Sequence, residues 1–481
     1  MICENFAYGG LLKFFEEISA IPRPTFHEEK IADYLCEFAK DRGLEYYKDE
    51  TYNVLIKKRG SAGRENEEPL LLQAHTDMVC EKNADTEHDF LSEGLKLYVE
   101  NGLLRARGTT LGADDGYGVA VMLYILDGAE GHVSSHPPIE CLFTAAEEVG
   151  LDGAKQFDYS LINSRRMINL DSADDSQILT GCAGGNRTTM TYTPETEKAI
   201  GEAVRIAIKG LAGGHSGEDI DKGRANSSKL MGRVLLSLSS ELDIQIAAIN
   251  GGTKDNAITR ETEAVVVSAD ADKLISLVKK LEAEIARELI SEDSGFFIAI
   301  EKCALPKRVM SKKSSEDMIL FLSSVQTGIF EMNKHIRSLV EFSRNLGVVK
   351  SAEDLSSIEF KFLSRSPQAS QIDFSTKQLE AYAKHYGMTV EHGDSYPGWL
   401  YAPISPLRDA YADTYRELFG KEIEIIAIHA GLECAIIKEK LPDMDIIACG
   451  PVLRGLHSPD EYMDLASFER FFTIMKNFLA K

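Results

Sequence analysis

Residues 69–80 read PLLLQAHTDMVC, an apolar run followed at once by His75 and Asp77. A short apolar run of this kind suits a buried strand. Similar runs occupy Ile139–Thr144, Met167–Leu170, Ile423–Ile428 and Met444–Cys449, and polar residues of metal-binding type follow each one. Helical periodicity marks Leu11–Ser19 and Glu28–Lys40, so strands and helices alternate, as in α/β layer folds. In open α/β sheets, sites form beyond the carboxyl ends of the strands. The five strand ends therefore point to one crevice and place the two ends of the chain in one discontinuous α/β domain.

Between them the pattern changes to Val- and Ile-rich strands, such as Ala203–Ile208 and Ala264–Ser268, with a long helix around Leu274–Leu289. This reads as an inserted domain over 187–392, with catalytic segments at 1–186 and 393–481. Pro397 and the stretch Pro403 to Pro406 mark the return, because proline favours extended connections.

Each strand end carries a chemical option and a plainer one. Positions two apart on an extended segment point the same way, so His75 and Asp77 share a face. A zinc-bound imidazole commonly donates its other N–H to a carboxylate, which suits His75 as ligand and Asp77 as its orienting partner. A solvent-facing strand end fits the same two residues. In GTTLGADDGYG, Asp114 and Asp115 stand between a glycine-rich turn and an apolar helix; they suit a carboxylate shared by two metals, or helix caps. In FTAAEEVG the adjacent side chains of Glu147 and Glu148 diverge, so one can ligate and the other accept a proton, or both can sit in an exposed acidic turn. Asp171 in INLDSADD and His457 in GLHSPDE complete a set of two histidines and several carboxylates without thiolates, which suits zinc, manganese or cobalt in a dinuclear hydrolytic centre.

The 481 residues exceed what one core supports, so two or three domains are expected. A formal charge of −23 argues against nucleic acid or an anionic membrane as partner. The eight cysteines form no CxxC pair and read as reduced thiols of a cytoplasmic protein. The opening MICENFAYGG has no basic segment followed by an apolar run, so no secretory signal is expected, and no apolar stretch reaches the roughly 18 residues needed to span a bilayer.

Read in order, HTDMVCEKN, GTTLGADDG, FTAAEEVGLDGA, NLDSADD with GCAGG, GGHSGEDIDKGRAN, HAGLEC and HSPDE resemble the bacterial aminoacyl-histidine dipeptidases, within the carnosinase-like dinuclear zinc metallopeptidases. The resemblance implies a discontinuous α/β/α zinc-peptidase catalytic domain with an inserted α+β lid and dimerisation domain. It also implies hydrolysis of Xaa-His and related dipeptides by a water activated at two divalent ions, and a homodimer. A deacylase or tripeptidase on the same scaffold would share the ligands; a catalytically silent binding protein need not keep them.

By motif, the resemblance makes Asp114 the bridging ligand, joined to Asp115 by a cis peptide. It assigns His75 and Asp171 to one ion and Glu148 and His457 to the other, with Glu147 as general base and Asp77 behind His75. It gives His215 an oxyanion-stabilising role, often across a dimer interface, and makes Asn256 a substrate contact. Arg365 would hold the peptide carboxylate through its bidentate fork, and Glu433 would meet the substrate amine; a surface charge and a packing role are the plainer readings of these two. Asp115 stands where relatives carry asparagine. His27, His88, His132, His136, His335, His385 and His392 match no motif and read as ordinary polar residues.

Overall fold

The computed structural model describes residues 6–128, 133–334, 336 and 338–481, which leaves His132 and His335 outside the described residues. The chain divides into two compact units. The first takes residues up to Cys182 together with Trp399–Ala427 and Leu432–Lys481; the second takes Ala183–Gly398 and Ile428–Gly431. The excursion Ile428–Gly431 lies outside the expected insert.

The first unit is built on an eight-stranded sheet in the order Glu45–Lys48, Val54–Lys58, Ile139–Thr144, Leu70–His75, Arg166–Asn169, Asp445–Ala448, Gln177–Cys182, Glu424–Ile428. The four strands from Ile139–Thr144 to Asp445–Ala448 run parallel. Leu70–His75 and Ile139–Thr144 are buried throughout, as parallel strands covered on both faces should be. One cover is the helix Ala113–Asp127, apolar all round, whose Gly118 rests against Ala74 and Leu170. Side chains alternate along a strand, so Gln73 and His75 face the other way, where Gln73 meets Glu433 at the start of the helix Glu433–Lys440. The layers are thus α/β/α. A four-stranded sheet joins Leu453–Arg454 and Tyr462–Asp464 to the hairpin Leu97–Glu100 and Leu103–Ala106, which fixes the intervening loop that carries His457.

The second unit is an antiparallel nine-stranded sheet with helices Ser227–Ser239, Ala271–Ile285, Lys312–Ser324 and Ala369–Tyr386 packed on it. Strand Glu202–Lys209 shows how it is patterned: Val204, Ile206 and Ile208 enter the large core shared with the helices, while Ala203 joins a small apolar cluster that includes Val309. A separate ribbon pairs Gly214–His215 with Ala257–Ile258.

Pro406 departs from its expected place in an extended return. It lies in the first turn of the helix Pro406–Phe419, where Ser405 caps the Arg408 N–H. Proline has no N–H to leave unpaired there, and its φ is already helical.

Candidate active site

At the end of its strand His75 is buried, with Nδ1 facing the Asp77 carbonyl oxygen at 3.2 Å and Asp77 Oδ1 at 3.3 Å. Both partners are acceptors, so Nδ1 carries the proton. Nε2 then faces Asp114 Oδ1 at 2.9 Å. Asp77 does more than orient the ring: Oδ1 accepts the Glu147 N–H, and Oδ2 accepts from the Glu148 N–H and the Thr25 hydroxyl. The preceding residue, Ala146, has φ 49°, and its N–H donates to the buried Glu28 carboxylate. Two carboxylates thereby hold three successive amides of the turn that presents Glu147 and Glu148.

Asp114 and Asp115 open the helix Ala113–Asp127 with non-helical dihedrals, and the peptide between them is cis. Asp114 reaches both histidines, with Oδ2 lying 3.3 Å from His457 Nε2. Asp115 points inward; one oxygen accepts the His75 N–H and the other the Gly118 N–H, each at 3.2 Å. An aspartate can serve one amide with each oxygen, whereas asparagine would offer a single acceptor. His457, at φ 59°, also lies 3.2 Å from Glu148 Oε2, while Glu148 Oε1 is buried without a partner.

Ligand atoms of His75, Asp114 and Asp171 lie within 4.8 Å of one another, as do those of Asp114, Glu148 and His457. Asp114 belongs to both groups. His75, Glu147 and Glu148 make a third. Such crowding of carboxylates is unfavourable without positive charge. Burial, then Asp114, lifts the Asp171 carboxyl to about 8. Burial pushes Glu147 well above the usual carboxylate range, with His75 opposing. Hydrogen bonds to Asp114 and Glu148 raise His457 to about 11, and against their burial the imidazoles hold Asp114 low. Protons fill the place of a cation here. Against its burial, hydrogen bonds to Asp114 and Asp77 likewise raise His75 well above the usual imidazole range. The orphaned Glu148 oxygen and an imidazole nitrogen facing a shared carboxylate fit divalent metal. Burial raises the Cys80 thiol to about 11, and Cys80 belongs to none of these ligand groups.

Glu433 is brought near this centre, close enough for its charge to act on Glu147 and Asp171. It has no exposed surface, and its Oε2 accepts from Gln73 Nε2 at 2.6 Å and the Thr144 hydroxyl at 2.8 Å. Gln73 in turn accepts from Asn169, so the side chain anchors three parallel strands at their carboxyl ends. Glu433 Oε1 is buried without a partner.

In the second unit His215 and Asn256 are neighbours: their ribbon pairs His215 with Ala257, and the Ser216 N–H donates to the Asn256 carbonyl. His215 Nδ1 accepts from the Glu218 N–H, so the neutral ring carries its proton on Nε2, which lies 3.4 Å from Arg365 Nη2. Burial and Arg365 lower the His215 pKa, keeping the ring neutral. Arg365 is buried, donates to the Tyr396 hydroxyl at 2.7 Å and leaves Nε unpartnered; among the described residues it has no ion pair. His429, paired with the Ser343 hydroxyl at 2.7 Å, is pushed down to about 3 by burial and by Arg365. Donors thus face donors.

Sequence reasoning missed Glu28, Tyr396 and Ser343, and no spacing or motif singled them out. The remaining described histidines stay outside the ligand groups. His88 contacts Glu93, His136 its neighbouring backbone and His392 Glu380. The described cysteines are all free thiols.

Residues 71–481, which carry every ligand motif, match the family described as peptidase family M20/M25/M40. The chain belongs to that family. The peptidase is 37% identical over 473 residues to the cytosol non-specific dipeptidase of Escherichia coli (strain K12), covering 98% of this chain and 96% of that one. The crystal structure of aminoacylhistidine dipeptidase from Vibrio alginolyticus matches this peptidase with a TM-score of 0.90 at 34% identity, covering 99% and 97% of the two chains. Aminopeptidase PepT from Bacillus cereus shares the fold, with a TM-score of 0.57 at 15% identity over 99% and 98%. Membership of a peptidase family makes the protein a hydrolase. Among the described residues no helix is long and apolar enough to cross a membrane.

Proposed function

We propose that this peptidase hydrolyses the peptide bond of dipeptides, Xaa-His among them, with two divalent ions, zinc by preference. The observation that carries the reading is Asp114, shared by two ligand groups beside the carboxyl of Glu147. His75 and Asp171 would hold one ion, Glu148 and His457 the other, and Asp114 both. Two such ions, when bound, polarise the scissile carbonyl and acidify the attacking water. Glu147 takes the proton from that water and passes it to the departing amine nitrogen. Asp77 keeps the His75 proton on Nδ1 and holds the amides of Glu147 and Glu148.

His215, with Nε2–H as donor, would stabilise the oxygen that gains charge during attack. Arg365 would bind the peptide carboxylate and Asn256 the neighbouring backbone. The likeness to a dipeptidase described as cytosolic supports a cytoplasmic setting, and the sequence resemblance supports a homodimer. The test is a panel of Xaa-His dipeptides, β-Ala-His, tripeptides and N-acyl amino acids, offered to metal-free protein before and after zinc, manganese or cobalt. Metal-restored cleavage of unblocked dipeptides is expected; cleavage of N-acyl substrates alone would make it a deacylase, and no cleavage with any ion would remove the reading.

A further inference from the structure

The loop that carries His457 also carries a carboxylate with no place in the chemistry above. Glu461 is 2% exposed and spends both oxygens on consecutive backbone amides. Oε2 accepts the N–H of Leu111 at 2.7 Å and of Gly112 at 3.0 Å; Oε1 accepts that of Ala113 at 2.9 Å and, at 3.4 Å, that of Asp114. These amides belong to the turn that leads into the helix Ala113–Asp127, before its dihedrals become regular beyond Asp115, and buried N–H groups there need acceptors.

The same turn is gripped from its carbonyl side. Arg23, 2% exposed, donates to the Gly112 carbonyl at 2.6 Å and to the carbonyls of Thr76 and Asp77 at 2.9 and 3.0 Å. Gly112 has φ 62°, and a Cβ there would lie 2.7 Å from the Arg23 guanidinium, so the arginine needs glycine at this position. One arginine and one glutamate thus connect the segments that bring His75, Asp114 and His457.

We propose that Glu461 is a positioning residue of the metal centre: its carboxylate locks the Asp114 turn to the His457 loop, so that two ligands of one ion approach as a unit. A helix cap alone needs only one or two of these amides, and a side chain from any nearby segment could supply it. Here the cap comes from the ligand loop itself, four residues beyond His457, and reaches the amide of Asp114. The inference rests on the two-metal reading.

The test compares full-length wild type with Glu461→Gln, whose amide group turns donors toward two of the four N–H groups, and with Glu461→Asp, which keeps the charge one methylene short. Zinc affinity is measured by chelator competition, the ligand field by the absorption of cobalt-loaded protein, and kcat and KM on a dipeptide. Glu461→Gln is expected to bind one of its two ions about 10- to 100-fold more weakly, to shift the cobalt band, and to lose kcat by a similar factor. KM should stay within about twofold. Glu461→Asp should fall between and carries the same test if the glutamine variant does not fold. Wild-type affinity, cobalt spectrum and kcat in both variants would overturn the proposal, as would a lower melting temperature of the metal-free protein as the sole change, since that is capping alone. Failure of the two-metal reading shows separately, in wild type that binds no ion, and the proposal falls with it.

Discussion

The two units gather polar groups of opposite kinds. In the first, carboxylates crowd around two imidazoles, and His75 Nε2 faces the Asp114 carboxylate at 2.9 Å. In the second, the Nε2–H of His215 points at the Arg365 guanidinium, and His429 is held neutral nearby. Buried acceptors facing acceptors want a cation, and buried donors facing donors want an anion. The lesson is that each cluster is left incomplete in a way that specifies the charge of what completes it.

The largest expected effect comes from the first cluster. Glu147→Ala should lower kcat by about 10³-fold while zinc stoichiometry stays at the wild-type value, read by metal analysis beside turnover. Retained turnover would end the general-base role. In the second cluster, Arg365→Met should cost about 10- to 100-fold in kcat/KM on dipeptides, and little on the same dipeptides amidated at the carboxyl end. Equal losses on both would break the comparison, because the guanidinium would then not be serving an anion. Asp77→Asn should weaken zinc binding by about tenfold or more, since it frees the His75 tautomer and loosens the Glu147 turn together.

The smallest effect is a proton count. Metal-free protein near neutral pH holds protons on His457, raised to about 11 by Asp114 and Glu148, and on Asp171, raised to about 8 by burial and Asp114. Ligands must lose their protons to bind metal. Zinc uptake should therefore release protons at pH near 7, and about one fewer near pH 9, above the Asp171 value but below that of His457. Calorimetry in buffers of different ionisation enthalpy measures the difference; a count that does not change with pH would remove the Asp171 assignment.

The strand ends were legible because a buried parallel strand is written as an uninterrupted apolar run, and its polar successor must lie at the sheet edge. Ile139–Thr144 agrees with its strand to the residue, and Leu70–His75 runs one residue past the Ala74 that ends the apolar run, taking His75 into the strand. Sequence order alone could not assemble the ligand groups, since His75 and His457 meet only through Asp114. The enclosure of Glu433 was not legible, because its partners Gln73 and Thr144 lie hundreds of residues away. Tyr396 and Glu28 left no trace for the same reason, being ordinary side chains until the fold supplies their partners.

The four residues Ile428–Gly431 have a practical consequence for anyone cutting this chain. A fragment spanning 183–398 would look like the whole second unit, yet it would lack His429 and the carbonyl of Ile428 that receives the Ala183 N–H. The Ser343 hydroxyl would lose its imidazole partner. The first unit, religated across the gap, would carry that orphaned tetrapeptide between the strand Glu424–Ile428 and the helix that begins at Glu433. Modular excision fails at this point, and any reshuffling of the two units has to move a contiguous stretch and a distant tetrapeptide as one piece of heredity.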